Sequence, residues 1–316
     1  MIARINRHLV WPIVVLLALT FVLLGSNWDF DYLIPRRLVR LGAMIIGGVC
    51  VAWSSIVFQT LTGNRILTPA IMGYEAVYLL LQALLVWVMG SVSLIVLGST
   101  GNFVLSVVIM LGYSWAIQCW LFRDGRNNVY FLLLVGLVLS LLIGTFTQFV
   151  QLKVSPGEFS VLLGFGQASF SRAQPEQLLF AGLLVGGVFL LGLKALPCLD
   201  VLSLGRDQAI SLGVDYAPRV RRYLALIAVL VAASTSLLGP TAFMGIFVAN
   251  ATYALARTFR HSITLPLSSA IAIAIFIAAQ LLVEHVFNYK TTVGILVNLL
   301  CGGYFLALMM RTRGTP

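Results

Sequence analysis

Three ionisable side chains sit where a proton could be passed along: Glu75, and the adjacent pair Glu284 and His285. A carboxylate and an imidazole at membrane depth would suit a proton relay, because imidazole titrates near neutrality. Adjacent residues on a helix point in different directions, however, and this pair lies near the outer end of an apolar run, which favours a solvated interface. Glu75 falls within two turns of Pro69, where the positive end of a helix dipole stabilises a carboxylate without any further role. Nucleotide chemistry has no support: the chain contains no G-x-x-x-x-G-K-[ST] loop, so any ATP hydrolysis belongs to another chain. Cys50, Cys119, Cys198 and Cys301 lack C-x-x-C spacing, which supports neither a zinc site nor a disulfide framework and leaves packing as their role. No cofactor or catalytic residue is expected.

The elements that hold these residues follow from composition. Of 316 residues, 60% are hydrophobic and 9% charged, and mean hydropathy is +1.01. A soluble domain carries roughly 25% charged residues, so this inventory cannot build a water-facing shell. A spanning helix takes about 20 residues, so the chain holds on the order of ten spans and no large soluble domain. The apolar stretches fall at 9–25, 38–61, 69–90, 102–122, 129–150, 177–196, 219–238, 240–256, 263–287 and 290–310. The expectation is an all-α, polytopic membrane protein of about ten transmembrane helices, with residues 1–316 forming a single transmembrane domain. Arg4 and Arg7 precede the first run as in a signal peptide, but Gly25-Ser26-Asn27 is not an A-x-A-like cleavage site, so the run reads as a retained first helix.

The net charge of +10 would suggest nucleic acid in a soluble protein; here it sets orientation. With both termini cytoplasmic, Arg4, Arg7, Arg65, Arg123, Arg126, Lys194, Arg206, Arg219, Arg221, Arg222, Arg257, Arg260, Arg311 and Arg313 lie inside. Only Arg36, Arg37, Arg40, Lys153, Arg172 and Lys290 lie outside, the bias that the positive-inside rule requires. Small residues at four-residue spacing, Gly136-Ser140-Gly144, Ala228-Ala232-Ser236 and Ala270-Ala274-Ala278, predict close helix packing.

Two stretches interrupt the spans. The outer one, 151–176, mixes Pro156, Gly157, Gly164, Gly166 and Pro175 with apolar residues and predicts a short re-entrant or surface helix. The inner one, Leu199–Val214, predicts one short amphipathic helix closed by a glycine cap. Gly205 and Ala209, four apart, would share a face open to a partner's backbone. Gly239-Pro240 predicts a break between the seventh and eighth helices at the outer face.

The inner stretch carries a resemblance. Its pattern L-S-L-G-x-x-x-A-x-x-L-G-V, followed by Gly239-Pro240-Thr241-Ala242-Phe243-Met244-Gly245, resembles the iron–siderophore and cobalamin permeases of ABC importers, the FecCD type. Ile34-Pro35-Arg36 with Gly47, Gln59, Asn64, Pro69 and Gly73 is similar to that family's first-half signature, and Thr292-Val293-Gly294 to its last. There are departures. Asn64-Arg65-Ile66-Leu67 replaces the usual N-P-L-A and Ala249-Asn250 the usual P-H, and an Asp and an Arg usual in the ninth span are replaced near Gln280 to Glu284. The form T-G-N-R-I-L-T-P-x-I-M-G resembles a branch associated with catecholate-type ferric siderophores.

What the resemblance implies is a cobalamin-permease-like bundle in the bacterial cytoplasmic membrane that forms half a channel. A second permease subunit, identical or paralogous, would complete the pore. Two ATP-binding subunits would dock on Leu204, Gly205, Arg206, Asp207, Ala209, Leu212 and Gly213. An extracytoplasmic siderophore-binding protein would deliver the chelate, with Arg36, Arg37 and Arg40 offering bidentate pairing to its carboxylates; headgroup snorkelling is the alternative for these arginines. Asn64, Ile66, Asn127 and Asn128 would constrict the cytoplasmic end of the pore. Lipid is a partner and nucleic acid is not. A proton-coupled secondary transporter using Glu75, Glu284 and His285 is the competing reading, but most spans lack central charge and no internal repeat is evident.

Overall fold

The computed structural model describes residues 9–24, 31–90, 93–121 and 129–312. Among them the regular elements are all helical: α1 (Val10–Leu23), α2 (Leu33–Thr62), α3 (Tyr74–Met89), α4 (Ser93–Leu121), α5 (Val129–Gln151), α6 (Pro156–Phe165), α7 (Pro175–Leu193), α8 (Leu196–Leu202), α9 (Arg206–Ser211), α10 (Tyr216–Leu238), α11 (Ala242–Ala256), α12 (His261–His285) and α13 (Val293–Thr312). A 3₁₀ turn, Pro69–Met72, precedes α3. In hydrocarbon each backbone polar group must be paired within its own segment, which is why these apolar runs coil into helices. Among the described residues six helices are long and apolar enough to cross a membrane, and four shorter apolar ones accompany them, Val10–Leu23, Tyr74–Met89, Phe243–Ala256 and Val293–Tyr304. The all-α polytopic bundle is thus as expected.

The long helix α2 is the axis on which α10 and α12 pack. Pro35 falls in its first turn, where no hydrogen bond is lost, and Gly63 ends it at φ +62°. Two adjacent glycines set the approach of its neighbours. A Cβ on Gly47 would overlap Leu238 of α10, and one on Gly48 would lie 3.2 Å from the backbone nitrogen of Ile273 in α12. The ladder on α5 works against a different element: a Cβ on Gly136 would lie 2.9 Å from the Cα of Met72, so α5 closes on the 3₁₀ turn. Gly144 of the same ladder faces nothing within 4 Å.

These contacts correct one expectation about depth. Leu238 packs at Gly47, and a rise of 1.5 Å per residue puts that level roughly 21 Å below the Leu33 end of α2. The Gly239-Pro240 break therefore separates α10 from α11 as expected, but inside the bundle and not at its outer face. The segment between α6 and α7 descends to cover it. Ser169 N–H donates to Leu238 O at 2.9 Å, and Arg172 Nη2 donates to Gln167 O at 2.7 Å and Leu238 O at 3.2 Å. Phe170 meets Phe276 of α12 edge-on at 5.1 Å.

Both interruptions form helices. In the outer one Pro156 opens α6 and Ser155 caps it by accepting from Glu158 N–H. The inner one is two helices, not one: Gly205 at φ +101° breaks the chain between α8 and α9, a conformation that residues with a Cβ rarely adopt. α4 also begins earlier than expected, because residues 93–97 are helical ahead of a break at Gly98 (φ 63°, ψ 169°).

Candidate functional site

At the Thr62 end of α2, α9 presents a surface. Its cap is a Schellman arrangement: Val214 N–H donates to Ala209 O at 3.0 Å, Gly213 N–H donates to Ile210 O at 2.9 Å, and Gly213 stands at φ +82°. The glycine closure is as expected, but the face is not. Ala209 is fully buried against its own chain, and Gly205 lies outside the helix as its N-terminal cap. Ala209 is therefore withdrawn from any partner, whereas Gly205 is exposed. Leu202 is likewise buried, whereas Leu204 is 55% exposed, Ile210 49% and Leu212 62%. Arg206, Asp207, Gln208 and Gly213 are exposed among them, so α9 is an apolar rim around a charged tip, pinned from below by Ala209.

α8 is anchored to the bundle by a side chain that sequence reasoning missed. Asp200 Oδ1 accepts from the backbone N–H of His261 at 2.8 Å and lies 2.5 Å from its Nδ1. The other ring nitrogen, Nε2, is 2.8 Å from Thr60 Oγ1 on α2. His261 is buried at the first position of α12, so one imidazole joins α8, α12 and α2. Nothing local announces this, because Asp200 and His261 are far apart in the chain.

The loop after α2 holds two of the residues expected to constrict a pore. Asn64 Oδ1 accepts from Ile66 N–H at 2.9 Å, an Asx turn that leaves the Ile66 side chain 48% exposed. Asn250 donates its Nδ2 to Arg65 O at 3.2 Å and so ties this loop to α11. Arg65 itself lies over both Tyr253 and Phe259, at 5.0 and 5.2 Å from their ring centres. Asn127 and Asn128 lie outside the described residues.

The three arginines at the Leu33 end do not act alike. Arg37 and Arg40 both pair with Glu284 of α12, at 3.5 and 3.3 Å, and Gln280 Nε2 donates to the same carboxylate at 2.7 Å. Arg37 also donates to Phe21 O, which ties in α1. The Glu284 side chain is only 5% exposed, so the solvated interface expected there is instead a buried ion cluster. Beside it, burial and the Glu284 carboxylate push the Tyr289 phenol up from its ordinary pKa. Arg36 is different: it is exposed and lies over the Tyr32 ring at 4.1 Å. His285 is exposed and turned away, with Nδ1 3.3 Å from Leu281 O.

Glu75 lies in the first turn of α3, as expected, but its carboxylate serves another helix. Oε1 accepts from Thr241 N–H at 3.0 Å, across the break that leads into α11.

Residues 8–311 match the profile of the FecCD transport family. The chain is 35% identical over 288 residues to the petrobactin import system permease protein YclO of Bacillus subtilis, covering 90% of both chains. It is 34% identical over 285 residues to the petrobactin import system permease protein FatC of Bacillus anthracis, covering 90% of this chain and 80% of that one. A solved metal-chelate type ABC transporter in an inward-facing conformation shares the fold at a TM-score of 0.84, with 20% identity over 96% of this chain and 98% of that one.

Proposed function

This chain belongs to the FecCD transport family as a permease subunit of an iron–siderophore ABC importer, and we propose that its cargo is a ferric siderophore of the catecholate type. Two features support that cargo: the Thr62–Gly73 form of the first-half signature, and the likeness to two permeases of petrobactin import. In this reading both termini are cytoplasmic and the Thr62 end of α2 faces the cytoplasm, where Arg206, Arg219, Arg221, Arg222, Arg257 and Arg260 gather. A second permease copy or paralogue completes the pore, and Asn64 and Ile66 narrow its inner end. Arg36 receives an acidic residue of the binding protein outside. Arg37 and Arg40, held by Glu284, shape that surface without contacting the partner.

The observation that carries the reading is α9. A six-residue helix whose Leu204, Ile210 and Leu212 rim stands in water gains by burying that rim in a groove on another protein. The ATP-binding subunit is that protein, and α8, locked to α12 and α2 through Asp200, His261 and Thr60, carries its motion into the bundle. The competing proton-coupled mechanism loses one relay member, because both oxygens of Glu284 are engaged by arginine. Reconstitution with the ATP-binding subunits and the binding protein tests the function: uptake of a ferric catecholate must require ATP hydrolysis and persist when the proton gradient is collapsed.

A further inference from the structure

The Glu75 carboxylate has an environment that packing alone does not explain. A cavity of 30 Å³, the space of one water or one small ion, lies between α2, α3, α10 and the start of α11. Glu75 lines it together with the hydroxyl residues Ser54, Ser55, Ser234 and Thr235. By helical rise, Ser54 and Ser55 sit roughly 11 Å inside the Thr62 end of α2, among packed helices. Among the described residues no Lys, Arg or His forms an ion pair with Glu75, and its one donor is Thr241 N–H.

Two of the hydroxyls donate away from it. Ser54 Oγ donates to Val51 O at 3.2 Å and Ser234 Oγ donates to Val231 O at 3.1 Å, so each presents lone pairs to the cavity. Ser55 and Thr235, both 2% exposed, make no side-chain hydrogen bond among the described residues. The oxygens of one carboxylate and four hydroxyls therefore line one small space, an arrangement that a positive charge between them would stabilise. A proton on Glu75 would satisfy one acceptor only. A hard cation would satisfy several, since carboxylate and hydroxyl oxygens are the ligands such ions take. One carboxylate balances one positive charge, and a divalent ion would leave a net charge inside the bundle.

We propose that Glu75, with the hydroxyls of Ser54, Ser55, Ser234 and Thr235, binds a single monovalent cation of sodium size and so ties α2, α3 and α10 to the approach of α11. The proposal does not depend on the cargo or on the ATP-binding subunit. It is tested on the full chain alone in lipid nanodiscs, by equilibrium binding of radioactive sodium and by thermal unfolding in sodium chloride against choline chloride at equal ionic strength. The expected result is one saturable sodium per chain and a saturable rise in Tm, both lost in Glu75→Gln. Thr235→Val, which keeps the carboxylate, should weaken sodium binding on the order of tenfold, and this holds the claim open to test if Glu75→Gln does not fold. No saturable sodium binding to the wild-type chain would overturn the proposal. So would a Tm that follows pH but is indifferent to sodium, since Glu75 would then hold a proton.

Discussion

Asp200 and His261 are joined twice: one carboxylate oxygen accepts the backbone N–H that opens α12 and also lies 2.5 Å from the imidazole Nδ1. The same imidazole reaches Thr60 on α2 through Nε2. α8 therefore cannot shift without pulling on two helices of the bundle, which gives α9 a rigid mount.

Asp200→Ala should cost about 1 kcal/mol of stability through loss of the α12 cap, and should also reduce the chelate transported per ATP hydrolysed. Asp200→Asn keeps an acceptor for the N–H and should recover most of the stability but less of the transport ratio. Thermal unfolding and paired uptake and ATPase assays check both; equal coupling in all three proteins would show that the mount carries no motion.

Glu284→Ala should be more damaging than either single arginine change, because it strands both Arg37 and Arg40. A loss of about 3 kcal/mol is expected, the cost of leaving a mostly buried charge unpaired. Glu284→Gln retains acceptors and should lose less. Denaturation of the purified chain in detergent reads the order.

Arg36→Glu should leave stability at the wild-type level, since the side chain is exposed, yet slow association with the binding protein. The measurement is the association rate at two salt concentrations. A wild-type rate with unchanged salt dependence would remove Arg36 from the docking surface.

Gly47→Ala should destabilise the chain by about 1 to 3 kcal/mol, because the added methyl overlaps Leu238 where α10 turns into α11. Gly144→Ala on α5, where nothing lies within 4 Å, should be close to neutral. Unfolding midpoints of the two variants provide the comparison.

Apolar runs and glycine and proline punctuation made most helices legible in the sequence, as did the Gly213 cap of α9. What stayed hidden was which way short elements face. α9 spans six residues, fewer than two turns, too few for periodicity to reveal that Ala209 points inward while Ile210 and Leu212 point out. Partners distant in sequence were equally out of reach: the chain gives no sign that Arg37 and Arg40 meet Glu284, or that Asp200 meets His261. The depth of the Gly239-Pro240 break is not legible either, because a helix that ends inside the bundle and one that ends at its surface carry the same stop signal. Only the packing of Leu238 on Gly47 separates them.

In the proposed function the exposed rim of α9 seats the ATP-binding subunit. The most direct test of this seating is co-purification of that subunit with the variant Ile210→Glu/Leu212→Glu, beside Ala209→Trp as a contrast. The double variant places charge only on exposed positions, so it should accumulate and unfold like wild type while recovery of the ATP-binding subunit falls at least about tenfold and ATP-driven uptake disappears. Ala209→Trp, which overfills a buried site, should lower the stability of the chain itself. Wild-type recovery of the complex and wild-type uptake from the double variant would contradict the account.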